Sequence, residues 1–570
     1  MSAGTADSTH TPLRVGNASG FYGDRFSAWQ EMLAGGDLDV LTGDYLAELT
    51  MLILGRDRMR DPDLGYARTF LRQLEGTLGT ARERGVRIVT NAGGLNPAGL
   101  ATAVRSLAQR LGLDLKVGYV EGDSLSRPNA LTANAYLGAF GIAAALDAGA
   151  DVVITGRVTD ASLVVGPAIA RFGWDHDDLD ALAGATVAGH LLECGAQVTG
   201  GNFSFFTELP DGGHRPGFPL AELHADGSAV LTKHPGTGGA VTIETVTAQL
   251  LYEVGAPAYL GPDVVTHLDS VRLTKDGPDR VRVSGVRGTP PPETLKVGVN
   301  NLGGFRNSMT FVLCGLDIPA KAALVRGQLE ETVGKEGLEF VLARTDHPDT
   351  ADTEAASALL HVHLRDGDKA RAGRAFSAAA VELALASYPG CTLTTLPGDA
   401  TPYGVFTADT VAQDGVEHVA VLPDGTRVPI PPPPRTQPAP PAPGTPVPSE
   451  GPAAYPTRRR LLGELVGARS GDKGGDANLG VWARTDASWE WLRGWLTVER
   501  LAELLPETAP LTVERYELPN LRAVNFMIRG LLGPGVAATT RFDPQAKALG
   551  ELLRSRMVQV PAELIPEGAS

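Results

Sequence analysis

The chain has 570 residues, 43% of them hydrophobic and 20% charged, and its mean hydropathy is -0.03. This length exceeds what one hydrophobic core supports, so we expect about three folding units. The formal charge of -16 disfavours nucleic-acid binding, because an acidic surface repels phosphates. No apolar run approaches the ~18 residues that a membrane helix needs, and the first residues lack the pattern of an export signal. We therefore expect a cytoplasmic protein without a membrane span.

Residues 13–192 alternate short β-branched runs with segments whose apolar residues have helical spacing. The strand candidates are LRVGN, LDVLTGD, VRIVTN, LKVGYVEGD and DVVITGR, and the helix candidates include YARTFLRQLEGTLGTARERG and NPAGLATAVRSLAQRLG. Strands that alternate with helices in this way form a parallel sheet with helices on both faces. The sequence therefore predicts a doubly wound α/β fold with a mainly parallel sheet.

The pattern changes after residue 192. Residues 193–427 mix strands and helices less regularly, which predicts an α+β subdomain that continues the first part. In it, VRLTKDGPDRVRVSGVRG predicts a hairpin about a DGPD turn, and IPAKAALVRGQLEETVG predicts a helix. Residues 428–456 are rich in proline, which favours extended polyproline II and predicts a semi-rigid linker. Residues 457–562 predict a small sheet covered by two helices.

Each strand candidate in residues 13–192 is followed by a polar loop that usually contains glycine. In an open parallel sheet such loops meet at one edge, where these folds bind ligands. Residues of these types also form ordinary turns and helix caps, so each position has a structural alternative. The predicted crevice is lined by Asn17, Ser19, Asp44, Asn91, Asn96, Arg157 and Asp160.

The segment HLLECGAQVTGGNFSFF adds a second group of candidates. Glu193 is a candidate general acid or base, and Gln197 and Asn202 are candidate binding amides. Cys194 is a candidate nucleophile, but no adjacent histidine supports that role. A lone cysteine in apolar company is more often a small buried hydrophobe, so we rank Glu193 before Cys194.

Three further segments carry side chains that suit a binding site. KHPGTGG contains Lys233 beside glycine N–H groups, and VNNLGGFRN contains Asn301 and Arg306. The loop RSGDKGGDANLG lies between two strand candidates and holds more charged and amide residues than a turn requires. Its candidates are Arg469, Ser470, Asp472, Lys473, Asp476 and Asn478.

No cofactor motif is evident. GNASGFYG lacks the G-x-G-x-x-G spacing, KHPGTGG lacks the P-loop spacing, and RSGDKGGDANLG departs from the EF-hand pattern. The cysteines form no C-x-x-C pair, and His361 and His363 have no third ligand nearby. A divalent cation on Asp44, Asp160 or Glu193 stays open, because the sequence does not show whether these carboxylates converge.

Several of these motifs together resemble the acyclic terpene utilisation protein AtuA family. They are GNASGFYGDR, TGDYLAELTM, TNAGGLNP, ITGRVTDASL, ECGAQVTGGNF, KHPGTGG and GARSGDKGGDANLG, in this order. The resemblance covers about residues 13–427 and, as a smaller AtuA-like ferredoxin-fold domain, about 457–560. It implies a ferredoxin-like C-terminal domain. It also implies a place in the degradation of acyclic terpenoids through coenzyme A thioesters, alongside biotin-dependent carboxylases, enoyl-CoA hydratases and acyl-CoA dehydrogenases.

We therefore expect an enzyme of acyclic terpenoid or branched-chain acyl-CoA catabolism, with acid–base chemistry of the hydratase or lyase kind. In this hypothesis a carboxylate transfers a proton, amides and loop N–H groups stabilise negative charge, and Arg157 anchors a carboxylate or phosphate. The catalytic candidates are Glu193, Asp160, Asp44 and Asn91.

Two alternatives stay open. One is a non-catalytic binding or scaffold subunit that associates with acyl-CoA-processing enzymes, and the weaker one is a hydrolase that acts through Cys194. The expected ligand is a small acyl-CoA or carboxylate. An enzyme of this size is commonly a symmetric homo-oligomer, which we also expect here.

Overall fold

The structure is a computed structural model that describes residues 11–395, 397–440 and 456–565. Residues 441–455 of the predicted linker lie outside the described residues. Within those ranges, no helix is both long and apolar enough to cross a lipid bilayer. Chain contacts divide the protein into two compact units. Unit 1 comprises Met1–Asn300, Phe406–Val536 and Gln545–Ser570, and unit 2 comprises Asn301–Val405 and Ala537–Pro544.

The first part of unit 1 alternates strands with helices, as predicted. Its strands are β1 (Leu13–Asn17), β2 (Val40–Gly43), β3 (Arg87–Thr90), β4 (Val117–Glu121), β5 (Ala130–Ala135) and β6 (Val152–Thr155). Its helices are α1 (Ala28–Gly35), α2 (Glu48–Arg60), α3 (Arg68–Glu75), α4 (Leu78–Glu83), α5 (Pro97–Arg110), α6 (Phe140–Asp147), α7 (Ser162–Phe172) and α8 (Leu179–Glu193). Each strand candidate of the N-terminal part forms a strand, and the two helix candidates form α3, α4 and α5.

The middle of the chain is richer in strands. They are β7 (Pro219–Leu223), β8 (Ala229–Lys233), β9 (Ala258–Leu260), β10 (Val265–His267), β11 (Arg272–Gly277), β12 (Arg280–Ser284), β13 (Arg287–Thr289), β14 (Thr294–Cys314), β15 (Leu338–Ala343), β16 (Ser357–Asp366), β17 (Thr392–Leu393), β18 (Thr401–Ala412), β19 (Val419–Val421) and β20 (Arg427–Pro429). The helices are α9 (Ile243–Leu250), α10 (Ile318–Val333) and α11 (Phe376–Glu382). The predicted hairpin is β11–β12, and the predicted helix is α10.

One sheet organises unit 1. It has 11 strands in the order β11-β12-β8-β7-β1-β2-β3-β6-β4-β19-β20. Its centre, β1-β2-β3-β6-β4, is parallel, and the strands added on both sides are antiparallel. The mainly parallel sheet predicted for the N-terminal part is therefore confirmed. The predicted domain boundaries after residues 192 and 427 stay predictions.

The parallel strands bury both faces, because successive side chains point to opposite sides of a strand. Val89 and Val153 belong to a core with residues of α6, α7 and α8, whereas Ile88 and Ile154 belong to a core with residues of α1, α3 and α5. This arrangement is the predicted double winding. It leaves the loops at the carboxyl ends of the strands free to form a site.

Unit 2 has its own core. Strands β14 and β16 pair antiparallel, from Phe305 opposite Asp366 to Cys314 opposite Ser357. Strand β15 pairs with the other edge of β16. Residues of α10 and α11, including Val325 and Phe376, pack on these strands.

The C-terminal part of unit 1 is a second α+β arrangement. Its strands are β21 (Thr457–Leu461), β22 (Val466–Lys473), β23 (Asp476–Ala483), β24 (Val513–Leu518), β25 (Ala523–Ile528) and β26 (Met557–Pro561). Its helices are α12 (Asp486–Trp495), α13 (Val498–Leu504) and α14 (Leu549–Arg554). The sheet has the order β22-β23-β25-β24, and Leu492, Phe526 and Leu553 share its core. A small helix-covered sheet was predicted here and is present.

Candidate functional site

The loops that follow the parallel strands meet at one edge of the sheet. Asn17 ends β1, Asp44 follows β2, Asn91 follows β3, Asp123 follows β4 and Arg157 follows β6. All five side chains belong to buried residues. Buried polar groups need partners, so their hydrogen bonds reveal what each one does.

Asp44 and Asn91 form a direct pair. Asn91 Nδ2 donates to Asp44 Oδ1 at 2.6 Å, and Asn91 Oδ1 accepts from the Tyr45 N–H at 2.8 Å. Burial raises the pKa of Asp44 well above its ordinary value, and the nearby charge of Asp160 raises it further. Asn91 therefore positions a carboxyl group that tends to hold its proton.

The TNAGGLNP loop requires its first glycine for a close approach. A side chain at Gly93 would place its Cβ 2.4 Å from the Thr155 carbonyl oxygen. Asn96 caps α5 by accepting from the Gly99 N–H at 2.9 Å, and Pro97 occupies the first helical turn, as expected from its missing N–H. The loop thus joins β3 closely to β6, and its two asparagines have separate tasks.

Arg157 is held on several sides. Its Nη1 donates to the Leu46 carbonyl at 2.7 Å, and its Nη2 lies 2.9 Å from Asp160 Oδ1. The guanidinium lies over the Tyr136 ring, 4.1 Å from the ring centre. Its backbone N–H donates to Asp123 Oδ2 at 2.9 Å. These contacts fix Asp160 as an ion-paired carboxylate whose side chain is 30% exposed.

Glu193 ends α8 beside His190, one helical turn earlier. His190 Nε2 lies 3.1 Å from the Gln249 carbonyl, which can only accept, so Nε2 carries a proton. Burial lowers the pKa of His190 to about 4, so the ring is neutral at pH 7 and its Nδ1 is an acceptor. Glu193 Oε1 lies 2.9 Å from that Nδ1 and must therefore be the donor.

The neutral form of the Glu193 carboxyl group fits this contact. Burial raises its pKa well above the ordinary value, and the charge of Asp160 adds to this effect. Its side chain is 8% exposed, and among the described residues its Oε2 has no hydrogen-bond partner. Asn17 holds the end of α8, because its Nδ2 donates to the Leu192 carbonyl at 2.6 Å.

Cys194 follows Glu193 directly. Burial raises the pKa of its thiol well above the ordinary value. A thiol in this environment stays protonated and is a poor nucleophile.

Two asparagines of the C-terminal sheet, Asn478 and Asn525, bind the turn after α9, and we call them the asparagine clamp. Asn478 Nδ2 donates to the Leu251 carbonyl and its Oδ1 accepts from the Glu253 N–H, both at 2.8 Å. Asn525 Nδ2 donates to the carbonyls of Val254 at 3.0 Å and Gly255 at 2.7 Å. Both asparagines are fully buried. They fix the turn in which Glu253 adopts a φ of 57°, a left-handed conformation that is uncommon for residues other than glycine.

A second set of contacts joins the same two parts of unit 1. Arg469 donates to Gln197 Oε1 and its guanidinium lies 4.2 Å from the centre of the Tyr252 ring. The Asn202 carbonyl accepts from Arg469 Nη1 at 3.5 Å. A Cβ at Gly471 would lie 2.4 Å from the Tyr252 ring, so glycine allows the close approach.

The RSGDKGGDANLG segment, predicted as a loop, is instead the paired ends of β22 and β23 about a tight turn, and these contacts hold it beside the turn after α9. Lys473 Nζ donates to the Glu253 carbonyl at 2.9 Å and lies 6.0 Å from the centre of the Tyr259 ring. Burial raises the pKa of Asp472 to about 7, and the charges of Glu253 and Glu48 contribute. The crevice wall therefore includes side chains from both ends of the chain.

Lys296 of β14 completes this wall. Its Nζ lies 3.8 Å from Glu48 Oε1 and 4.7 Å from the centre of the Tyr136 ring. The Lys296 side chain is 41% exposed, and Lys473 is also exposed.

The remaining sequence candidates have other surroundings. Ser19 donates to the Phe21 carbonyl, and Lys233 donates to the Thr237 carbonyl and pairs with Asp279 at 3.1 Å. Ser470 donates to the Lys547 carbonyl, and Asp476 pairs with Arg529 at 2.7 Å. Asn301 and Arg306 belong to unit 2, where Arg306 donates to the Ala537 carbonyl. Their assignment to the site stays a prediction.

Several residues of the crevice were not selected from the sequence. His190 and Glu193 are three residues apart in one helix, a spacing that places them on one face and was a usable signal. Asp123 ends the segment LKVGYVEGD and Glu48 lies in the segment TGDYLAELTM, but neither was among the predicted site residues. Lys296 follows the ordinary alternation of a strand, and the remaining missed residues are Tyr136, Glu253 and Tyr259.

Metal ligation was left open by the sequence. Among the described residues, no group of three or more His, Cys, Asp or Glu side chains is arranged to hold a metal ion. The crevice is instead a mixture of carboxyl groups, cations and aromatic rings.

Comparison with known proteins finds two family models that match successive regions of the chain. The model of the acyclic terpene utilisation family protein AtuA matches residues 13–130 and 125–422. The chain belongs to this family. The AtuA ferredoxin-like domain matches residues 461–559, and no curated protein matches the chain. Membership of the AtuA family implies a part in acyclic terpene utilisation, and the ferredoxin-like fold predicted for the C-terminal domain is confirmed.

The asparagine clamp of this AtuA-family protein can be tested by Asn478→Ala. The substitution leaves the buried Glu253 N–H and Leu251 carbonyl without partners, which should lower the free energy of unfolding by about 2 to 4 kcal/mol. Chemical denaturation measures this loss. Gln559→Ala, at an exposed position of β26, is the control and should change stability little; equal effects of the two substitutions would contradict the clamp.

Asp123 should make stability depend on pH. Burial raises its pKa from 3.8 to about 6, so the folded state holds this proton more tightly than the unfolded state. Its contribution is fully present below pH 3.8 and is lost as pH rises through 6, a loss of ~3 kcal/mol. Asp123→Asn keeps an oxygen acceptor for Asn134 Nδ2 and the Arg157 N–H but cannot ionise.

The measurement is the stability difference between wild type and Asp123→Asn across this pH range. Wild type should lose stability relative to the variant as pH rises. A difference that is constant with pH would show that Asp123 does not have a raised pKa.

Proposed function

We propose that the protein is an enzyme of acyclic terpenoid or branched-chain acyl-CoA catabolism that adds water to, or removes it from, an acyl-CoA or related carboxylate. The observation that carries this proposal is the unlike environments of two carboxyl groups, those of Glu193 and Asp160. Glu193 is buried and holds its proton against neutral His190, while Asp160 is partly exposed and paired with Arg157. Carboxyl groups whose environments differ in this way suit separate acid and base roles.

In the proposed reaction Asp160 is the base. It accepts a proton from the carbon next to the acyl carbonyl, and the electron pair left behind forms the double bond as the β-carbon–oxygen bond breaks. Glu193 is the acid and gives its proton to the departing oxygen, which leaves as water. The reverse sequence is hydration, so the two groups exchange roles with direction.

The other crevice residues support these two. Asn17 and Asn91 use their amides on the protein itself, so we assign them to positioning α8 and Asp44 rather than to contact with the substrate. Arg157 likewise orients Asp160. This revises the expectation that the asparagines stabilise negative charge and that Arg157 anchors the ligand.

The alternatives have less support from the geometry. The raised pKa of the Cys194 thiol disfavours a hydrolase that acts through a thiolate. A scaffold subunit has no need for a neutral carboxyl group held against a neutral imidazole in a crevice. Cytoplasmic location, homo-oligomerisation and association with acyl-CoA-processing enzymes stay predictions.

Glu193→Gln tests the acid. Glutamine can still donate to His190 Nδ1, so the fold should be kept, but it has no acidic proton and turnover should fall about 100-fold to 10,000-fold. The assay follows hydration and dehydration of branched enoyl-CoA and hydroxyacyl-CoA thioesters and their free acids. Exposed Glu75→Gln, in α3, is the matched control and should leave turnover unchanged.

Two results would contradict the proposal. One is full turnover by Glu193→Gln. The other is a wild-type protein that shows neither turnover nor thermal stabilisation with any thioester or acid of the series, which would favour the assembly-subunit hypothesis.

A further inference from the structure

Two lysines face the crevice from distant parts of the sequence. Lys296 lies on β14, in the AtuA region, and Lys473 ends β22, in the ferredoxin-like domain. Both are exposed to solvent. Lys473 reaches the crevice because Asn478 and Asn525 fix β23 and β25 against the turn that contains Glu253.

Neither ammonium group donates a hydrogen bond to a carboxylate of the described residues, and Lys296 has one long ion pair with Glu48. The Lys473 ammonium donates to the Glu253 backbone carbonyl, and within the described part of the chain no carboxylate oxygen lies within 4.0 Å of it. Lys296 lies 3.8 Å from Glu48, beyond hydrogen-bonding distance. Phe406 links the two lysines, because Lys296 Nζ lies 5.7 Å from the centre of its ring and a Cβ at Gly474, next to Lys473, would lie 3.4 Å from the same ring. Burial and the Lys296 charge lower the pKa of Lys473.

Aromatic rings surround both cations. Lys296 Nζ lies 4.7 Å from the centre of the Tyr136 ring and 5.7 Å from that of Phe406, and Lys473 lies near Tyr259. Tyr259 also lies beside the His190–Glu193 pair, because its ring centre is 5.7 Å from that of His190. The ammonium groups, the apolar rings and the proton donor therefore share one wall.

We propose that Lys296 and Lys473 form a subsite for a single carboxylate carried by the apolar substrate, so that the ferredoxin-like domain supplies part of the binding site. Two neighbouring ammonium groups favour an anion between them, and bound carboxylate oxygens accept charge-assisted hydrogen bonds from both. The nearby acidic side chains Glu48, Glu253 and Asp472 disfavour a doubly charged phosphate. The aromatic rings of Tyr136, Phe406 and Tyr259 would contact the hydrocarbon part of the substrate.

This inference rests on the proposed function for the identity of the substrate, but its test is a binding measurement. The probe is 3-methylbut-2-enoic acid, a branched unsaturated carboxylate, with its uncharged primary amide as the comparison. Isothermal titration of the full-length protein should detect binding of the acid and at least tenfold weaker binding of the amide.

Lys296→Met and Lys473→Met should each weaken binding of the acid roughly tenfold or more and leave binding of the amide nearly unchanged. Lys275→Met, on the exposed hairpin strand β11, is the control and should bind the acid like wild type. Thermal unfolding without ligand identifies a variant that has lost its fold. Equal binding of acid and amide by wild type, or unchanged binding of the acid by both folded variants, would overturn the subsite.

A measurement on wild type keeps the proposal testable if a variant does not fold. Modification of Lys473 by a lysine-selective reagent, followed by peptide mass spectrometry, should be slowed by the acid and not by the amide. No protection would overturn the proposal. Glu193→Gln distinguishes failure of the proposed catalytic role from failure of the lysine subsite, because this variant should lose turnover and still bind the acid.

Discussion

The cost of removing carboxyl groups from water is the constraint on which the crevice depends. Asp44, Glu193 and Asp472 all have raised pKa values, and burial is the first cause for each. A protein can reduce this cost by keeping the proton, by pairing the charge, or by admitting water. Glu193 keeps its proton against His190, and Asp160 pairs with Arg157 and stays partly exposed. The same constraint therefore favours a neutral carboxyl group at Glu193 and an ion pair at Asp160.

The ferredoxin-like domain is part of this arrangement. Buried Asn478 and Asn525 satisfy backbone groups of the turn after α9, and through this turn they position Glu253. A turn exposed to water would need no such partners, whereas buried N–H and carbonyl groups do. The second family domain thus places Lys473 against the turn after α9.

The sequence was sufficient for the sheet and for the loops at its edge. Because carboxyl ends of parallel strands meet, placing Asp44, Asn91, Arg157 and Asp160 together required only the order of strands and helices. Glu193 was also selected, although its partner His190 was not.

The rest depends on tertiary contacts that leave no local pattern. Lys296 follows the alternation of an ordinary exposed strand residue, and Glu253 follows a helix without a motif. The roles of Asn17 and Asn91 also needed coordinates, since an amide that positions a neighbour and one that binds a ligand look alike in a sequence. The loop of Asp472 and Lys473 was selected for its composition, but its position against α9 was not predictable.

The most direct test of the central claim is infrared spectroscopy of the carboxyl groups at neutral pH. A protonated carboxyl group has a carbonyl stretching band distinct from that of a carboxylate, so wild type should show this band at pH 7 and Glu193→Gln should lose part of it. A wild-type spectrum without the protonated band, or one that Glu193→Gln leaves unchanged, would contradict the account.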